Sequence, residues 1–129
     1  MHCTRKITND IIWVGANDRR LSRFENLYPL DKGVSYNSYL ILDEKTCLMD
    51  TMGQNETRQF AENVKYALGG RDLDYLVVQH MEPDHSANID KFAKAYPDAV
   101  IVATDRAFVM MDKFFGTDFA SFSCCHKCS

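Results

Sequence analysis

His80-Met81-Glu82-Pro83-Asp84-His85 is the stretch on which the reading of this chain turns. It follows Asp74-Tyr75-Leu76-Val77-Val78-Gln79, a short β-rich apolar run that reads as a buried strand. After it, Ser86-Ala87-Asn88 offers helix caps, and Ile89, Phe92, Ala93 and Tyr96 recur at the i, i+3, i+4, i+7 spacing of a helix face. Four side chains able to ligate a metal therefore crowd between a strand's carboxyl end and a helix. Pro83 steers Glu82 away from the α region, so the segment is expected to stay extended until the helix begins. In an extended backbone His80 and Glu82 share a side, while Asp84 and His85 can turn to a second point. That is a layout for two adjacent metal ions. A polar loop with two solvated histidines is the plain alternative. So many ligand-type residues in one short loop, in a chain with 4 histidines in all, favour metal. Imidazoles and carboxylates suit iron, manganese or zinc, and no thiolate lies near enough in sequence to suggest a soft-metal site.

A His-x-x-x-Asp-His pattern after a hydrophobic strand resembles the metallo-β-lactamase superfamily, whose zinc hydrolases usually carry a further His where this chain has Glu82. His-x-Glu-x-Asp-His resembles the flavodiiron proteins, whose lactamase-like domain holds two irons and reduces dioxygen or nitric oxide. Ile12-Trp13-Val14-Gly15-Ala16-Asn17-Asp18, Val34-Ser35-Tyr36-Asn37-Ser38-Tyr39-Leu40-Ile41 and Leu48-Met49-Asp50-Thr51 are similar to that family's opening strands. The resemblance runs from about Ile11 to about Phe119 and is specific as a set.

The resemblance implies an α/β fold, the first half of a metallo-β-lactamase-like αββα sandwich, with a mixed sheet and helices on one face. It implies one iron on His80 and Glu82 and the other on Asp84 and His85, with zinc or another divalent ion able to stand in. It implies electrons from a flavin, the FMN being carried on a flavodoxin-like domain that is not found in this chain. The family's third and fourth histidines and bridging Asp are not found either, since His126 is the one histidine after His85 and comes too soon. Residues 1–119 are accordingly read as a partial lactamase-like domain, and 120–129 as an aberrant or disordered Cys-rich tail. In that tail Cys124, Cys125, His126 and Cys128 make a lone CxxC, too few ligands for the four that structural zinc normally takes. Glu25 stands where many flavodiiron proteins have a histidine approaching the irons. It is read either as a carboxylate near the metals or as a solvated loop residue, the commoner state of a surface Glu. Asp50 is taken as a second carboxylate behind the ligands.

Three functional readings follow. One is a diiron oxidoreductase domain that is incomplete in this chain. Another is a non-catalytic piece that dimerises and binds stray metal. The third is a zinc-dependent hydrolase, which Glu82 counts against because an extra carboxylate moves the site towards iron-type chemistry. No second sheet being recognised, Leu76, Val78, Val100, Val102 and the inward residues of 34–42 are expected to lack cover on one side. A homodimer is expected to supply it.

The chain's 129 residues match one domain at roughly 100–200 residues each. A hydrophobic content of 46% rules against disorder of the whole. With net charge -3 and no basic cluster beyond Arg19-Arg20, nucleic acid and anionic membrane are excluded as partners. No apolar run approaches the ~18 residues of a membrane helix, and the first residues lead into no signal-peptide core. Five unevenly spread cysteines do not form a disulfide framework, which points to the cytoplasm, with Cys47 a small buried apolar residue.

The remaining elements read as follows. Ile11 to Val14 is a strand, and Asn17 to Lys32 is irregular. Val34 to Asp43 and Thr46 to Met52 form an antiparallel hairpin. A helix buries Phe60, Ala61, Val64, Ala67 and Leu68 and ends at Gly69-Gly70. A strand follows over Ala99 to Ala103. A last helix, capped by Thr104 or Asp105, carries Phe108, Met111 and Phe115 and stops at Gly116.

Overall fold

The computed structural model describes residues 2–19 and 33–116, together with the backbone of short strands at 23–24, 28–29 and 124–125. In chain order the elements are β1 (Arg5–Lys6), β2 (Ile11–Trp13), β3 (Ala16–Asp18), β4 (Arg23–Phe24), β5 (Tyr28–Pro29), β6 (Val34–Tyr36), β7 (Tyr39–Leu42) and β8 (Thr46–Met49). Then come α1 (Thr57–Leu68), β9 (Tyr75–Val77), α2 (Pro83–Ser86), α3 (Ile89–Ala95), β10 (Val100–Val102), α4 (Asp105–Phe115) and β11 (Cys124–Cys125). Glu25 and the tail residues His126 and Cys128 lie outside the described residues.

Seven strands form one mixed sheet in the order β1-β2-β7-β8-β9-β10-β11. β1, β2, β7 and β8 pair antiparallel; β8, β9, β10 and β11 pair parallel. Each parallel step needs a crossover, and crossovers take one hand, so α1, the α2–α3 pair and α4 all return over the same face. Leu48, Leu76 and Ile101 are register neighbours on that face. They are closed off in one core with Phe60, Ile89, Phe92, Phe108 and Met111. Cys47, Met49, Tyr75, Val77, Val100 and Val102 alternate onto the other face and keep partial exposure.

The open side therefore differs from the expected set. Leu76 and Val78 lie under the helices at 1% and 3% exposure, because Leu76 pairs with Ile101 and not with Val100. Val100 and Val102 do face outward. Cys47 is half-buried on that outer face and is not a core residue. The hairpin is β7 with β8, whereas Val34–Tyr36 leaves to pair with Ala16–Asp18 in a separate ribbon. Ser38 marks the break: its side chain donates to the carbonyls of Met49 and Asp50 instead of continuing a strand face.

The helices begin and end as their caps dictate. Thr104 Oγ1 accepts from Ala107 N–H at 3.2 Å, and Gly69 and Gly116 take the left-handed C-cap conformation. On α1 the buried set is Phe60, Asn63, Val64, Ala67 and Leu68, so Asn63 takes the inward place expected of Ala61, which is exposed. Asn63 Nδ2 donates to the carbonyls of Val14 and Gly15, and its Oδ1 accepts from Cys3 N–H and Gln59 Nε2. This satisfied buried amide ties α1 to the chain after β2. No helix among the described residues is long and apolar enough to cross a membrane.

Asn63→Ala would leave two buried carbonyls unpaired and is expected to cost about 3 kcal/mol in urea unfolding; a loss below about 1 kcal/mol would count against that role. Asp74 accepts from Thr46 N–H at 2.8 Å, and this bond, ahead of the other causes, holds its carboxyl below the ordinary 3.8. A lowered folded pKa gives stability that is present above the unfolded value and lost as pH falls through the folded one. Asp74→Asn should therefore flatten the acid limb of the stability profile below pH 3.8. An unchanged limb would show that the bond is not linked to folding.

Candidate metal centre

β8 and β9 run parallel, so the chain leaves both at the same edge of the sheet, where open α/β sheets bind their ligands. Asp50 follows β8 directly; Gln79 and His80 follow β9. The two exits are tied together. Asp50 N–H donates to Val77 O at 2.8 Å, and Gln79 N–H donates to Asp50 Oδ1 at 2.7 Å. Ser38 Oγ donates to Asp50 O at 3.0 Å. These bonds hold Asp50 at φ 61, a left-handed conformation that L-residues rarely take outside Gly, Asn and Asp. Such a conformation persists where its surroundings over-determine it, commonly at functional sites.

From Gln79 the loop crosses to a short helical turn. Glu82 is extended (φ -67, ψ 145) ahead of Pro83, as the proline requires. The extension stops there. Pro83–Ser86 is already helical, with Pro83 at its first turn, where a missing N–H costs nothing. Asp84 and His85 thus project from a helix and not from an extended strand. Asn88 stands at the N-cap of α3 but makes no side-chain capping bond, its Nδ2 donating to Met52 O, and Ser86 Oγ donates to Met81 O. Thr51 fastens the turn to β8, since both its N–H (3.0 Å) and its hydroxyl (2.7 Å) donate to His85 O.

Two groups of ligand-type side chains result. Asp50, His80 and His85 bring ligand atoms within 4.8 Å of one another, and so do His80, Glu82 and Asp84. His80 belongs to both. The His80 and His85 rings stand 4.4 Å apart between centroids. His85 Nδ1 is 3.7 Å from Asp50 Oδ2, and its Nε2 is 3.4 Å from Asp84 Oδ2. Glu82 is exposed at the rim, His80, Asp84 and His85 are half-buried, and Asp50 is buried. Burial pushes the Asp50 carboxyl above its ordinary range, against the Gln79 N–H and the two imidazoles, which lower it.

The donor set fits a divalent first-row cation: two imidazoles, three carboxylates and no thiol in either group. Asp84 Oδ1 and His85 Nδ1 are buried with no hydrogen-bond partner. Unpaired buried polar atoms are costly, and a cation between these groups would satisfy them.

A family model described as ODP family beta lactamase matches residues 34–126. The chain belongs to that family. The match passes the Phe119 limit drawn from sequence, and Cys124–Cys125 adds a parallel strand beside β10. Among similar proteins is an anaerobic nitric oxide reductase flavorubredoxin of Vibrio vulnificus, 36% identical over 105 residues, covering 81% of this chain and 21% of the relative. The rubredoxin oxygen:oxidoreductase of Desulfovibrio gigas superposes with a TM-score of 0.81 at 29% identity, over 89% of this chain and 29% of that one. The flavodiiron protein of Giardia intestinalis shares the fold, with a TM-score of 0.82 at 23% identity, over 95% of this chain and 29% of that one. The flavodiiron resemblance and the mixed α/β lactamase-like fold are thereby borne out. The chain spans about a fifth of the curated relatives' length and under a third of these solved chains.

Thr51, Gln79 and Ser38 are functional positions that the sequence alone does not mark. Their signal was faint: a hydroxyl just after Asp50, a residue just before His80 and a serine breaking a strand run. Thr51→Val keeps the backbone bond to His85 O and removes the hydroxyl. It is expected to cost about 1 kcal/mol of stability and about tenfold in cobalt or zinc affinity by calorimetric titration. Equal affinity would show that Thr51 does not position His85.

Proposed function

We propose that this chain carries the metal-ligating loop of a flavodiiron-type oxidoreductase that reduces nitric oxide or dioxygen with electrons from a flavin. The observation that carries the reading is the convergence of His80, Glu82, Asp84 and His85, in the loop after β9, beside Asp50 at the exit of β8, with buried donor atoms lacking any other partner. The names of the relatives supply the substrates. In this reading His80 and Glu82 serve one iron and Asp84 and His85 the other, with Asp50 beside His85. Two such ions would supply one electron each and open coordination positions for a diatomic substrate. Four electrons and four protons take dioxygen to two waters; two electrons and two protons take two nitric oxides to nitrous oxide and water. A flavin, FMN in the flavodiiron resemblance, is the donor that restores the electrons. What the chain's own residues do is hold the loop: Thr51 fixes the His85 carbonyl, Gln79 fixes Asp50, and Pro83 starts the turn that presents Asp84 and His85. The zinc-hydrolase reading is weaker, because a carboxylate stands at residue 82 where the hydrolases usually have imidazole.

The reading includes a cytoplasmic placement, supported by the odd and uneven cysteine count. It also includes a homodimer, supported by the outer sheet face. Ile11, Trp13, Tyr39, Ile41, Met49 and Val77 share that face by register, with Arg5 opposite Trp13 at its edge. Contiguous apolar patches above a few hundred Å² are uncommon on monomers, and a two-fold axis covers one with a second copy.

Protein purified without added metal is expected to take up iron, and a His80→Ala, Asp84→Ala double variant with unchanged circular dichroism is expected to take up none. Unchanged metal content in that variant would sink the site. The 129 residues alone are expected to show no dioxygen or nitric oxide consumption above a metal-free control in an electrode fed by a reduced flavoprotein. Light scattering at micromolar concentration is expected to give twice the chain mass; a monodisperse single-chain species with no binding of an apolar-patch dye would dismiss the dimer.

A further inference from the structure

We propose that Ser86 is a positioning residue for the metal loop. Its hydroxyl, bonded back to the carbonyl of Met81, closes the stretch that carries Glu82, Asp84 and His85 and sets how far those side chains stand from His80. The inference rests on the metal-binding reading above, keeps its ligands and adds the group that holds their spacing.

The need for such a group begins at Pro83. Proline keeps Glu82 extended, so the helical turn starts only at Pro83 and the Met81 carbonyl falls outside its ladder. The N–H groups that close the turn both go to Glu82 O, from His85 at 2.9 Å and from Ser86 at 3.0 Å. Met81 is buried, and a buried carbonyl without a donor is costly. Ser86 Oγ supplies the donor at 3.1 Å, and Ser86 is itself buried. A serine side chain that bonds back along its own helix ordinarily reaches three or four residues. Here it reaches back from residue 86 to residue 81, across three of the loop's four ligand-type residues.

Little else fixes that spacing. Thr51 pins His85 O from β8, at the far end of the loop. Among the described residues, the hydrogen bonds to the carbonyls of Met81 and Glu82 all come from His85 and Ser86. A cleft of about 230 Å³, lined by Met81, Pro83, Ala87, Phe114 and Phe115, runs beside Ser86. Close packing therefore does not wedge the loop in place on that side, and Met81 and Pro83 have room to shift once the hydroxyl is gone. Groups that orient metal ligands without touching the ion typically cost about 10–100-fold in affinity when removed.

Cobalt(II) titration of the full chain tests the role, read by calorimetry and by the visible band of the bound ion. Circular dichroism and urea unfolding show whether each variant is folded. Ser86→Ala is expected to bind about tenfold more weakly and to alter the band, whose intensity follows coordination geometry. Ser86→Thr keeps the hydroxyl and is expected to restore both. A Ser86 that only stabilises the fold would lower the urea midpoint and leave affinity and band of the folded chain unchanged. That result overturns the inference and leaves the ligands standing. Equal losses in the Ala and Thr variants also overturn it, since the hydroxyl would then not be the cause. Should Ser86→Ala not fold, proton NMR of the unsubstituted chain replaces it. Zinc loading is then expected to slow exchange of the Ser86 hydroxyl proton, and exchange unchanged or faster overturns the role. No cobalt uptake by the unsubstituted chain overturns the metal reading together with this one.

Discussion

The bond from Gln79 N–H to Asp50 Oδ1 is the constraint on which the site depends. It joins the residues that follow two parallel strands, and neighbouring strands lie less than 5 Å apart. Without it, β8 would leave the sheet edge with a buried carboxylate unpaired, and the loop at His80 would begin at no fixed height. Asp50 can make this bond because its backbone turns to positive φ, which aims the side chain across to β9 instead of out from its own strand. Ser38 and Val77 hold that turn from either side. The local strain is thus stabilised by long-range contacts, as expected where a fold fixes the direction of a charged group.

A second layer of buried polar side chains performs the same service for the elements around it. Asn63 holds the chain after β2 against α1, and Asn88 holds Met52 O beneath the start of α3 while accepting from Thr57. Thr46 and Asp74 bind each other through backbone and side chain at the start of β8 and β9. Asn63, Asn88 and Thr46 are buried, and a hydrogen-bonded group in an apolar setting is costly to leave half-satisfied and so specifies one arrangement.

Much of this was legible in the sequence. The strand before His80 and the helices with Thr104 and Gly116 as boundaries follow from spacing and capping chemistry. Pro83 likewise gave the extended Glu82. What resisted reading was long-range. Asn63 at an inward helix position looks like a surface residue until the carbonyls of Val14 and Gly15 are brought to it. Ala61 looks apolar enough to be core, yet points to solvent. Leu76 and Val100 read alike as apolar strand residues, and only the register with Ile101 and Tyr75 sends them to opposite faces. At the site, the four loop residues were visible as a cluster of ligand types, but Asp50 sits thirty positions before His80. Nothing local marks it beyond an acid at a strand end.

That separation has a consequence for how metal and folding are coupled. His80, Glu82, Asp84 and His85 lie within one short loop, so an unfolded chain can also wrap them around an ion, and binding shared by both states adds little stability. Asp50 and Thr51 meet that loop only after α1 has carried the chain back and β9 has docked beside β8. An ion held by the loop in the arrangement that Asp50 and Thr51 impose would recognise the closed crossover, and its binding energy would act on the fold as a whole. The same cation would then be a loose passenger on the nascent loop and a brace on the finished sheet.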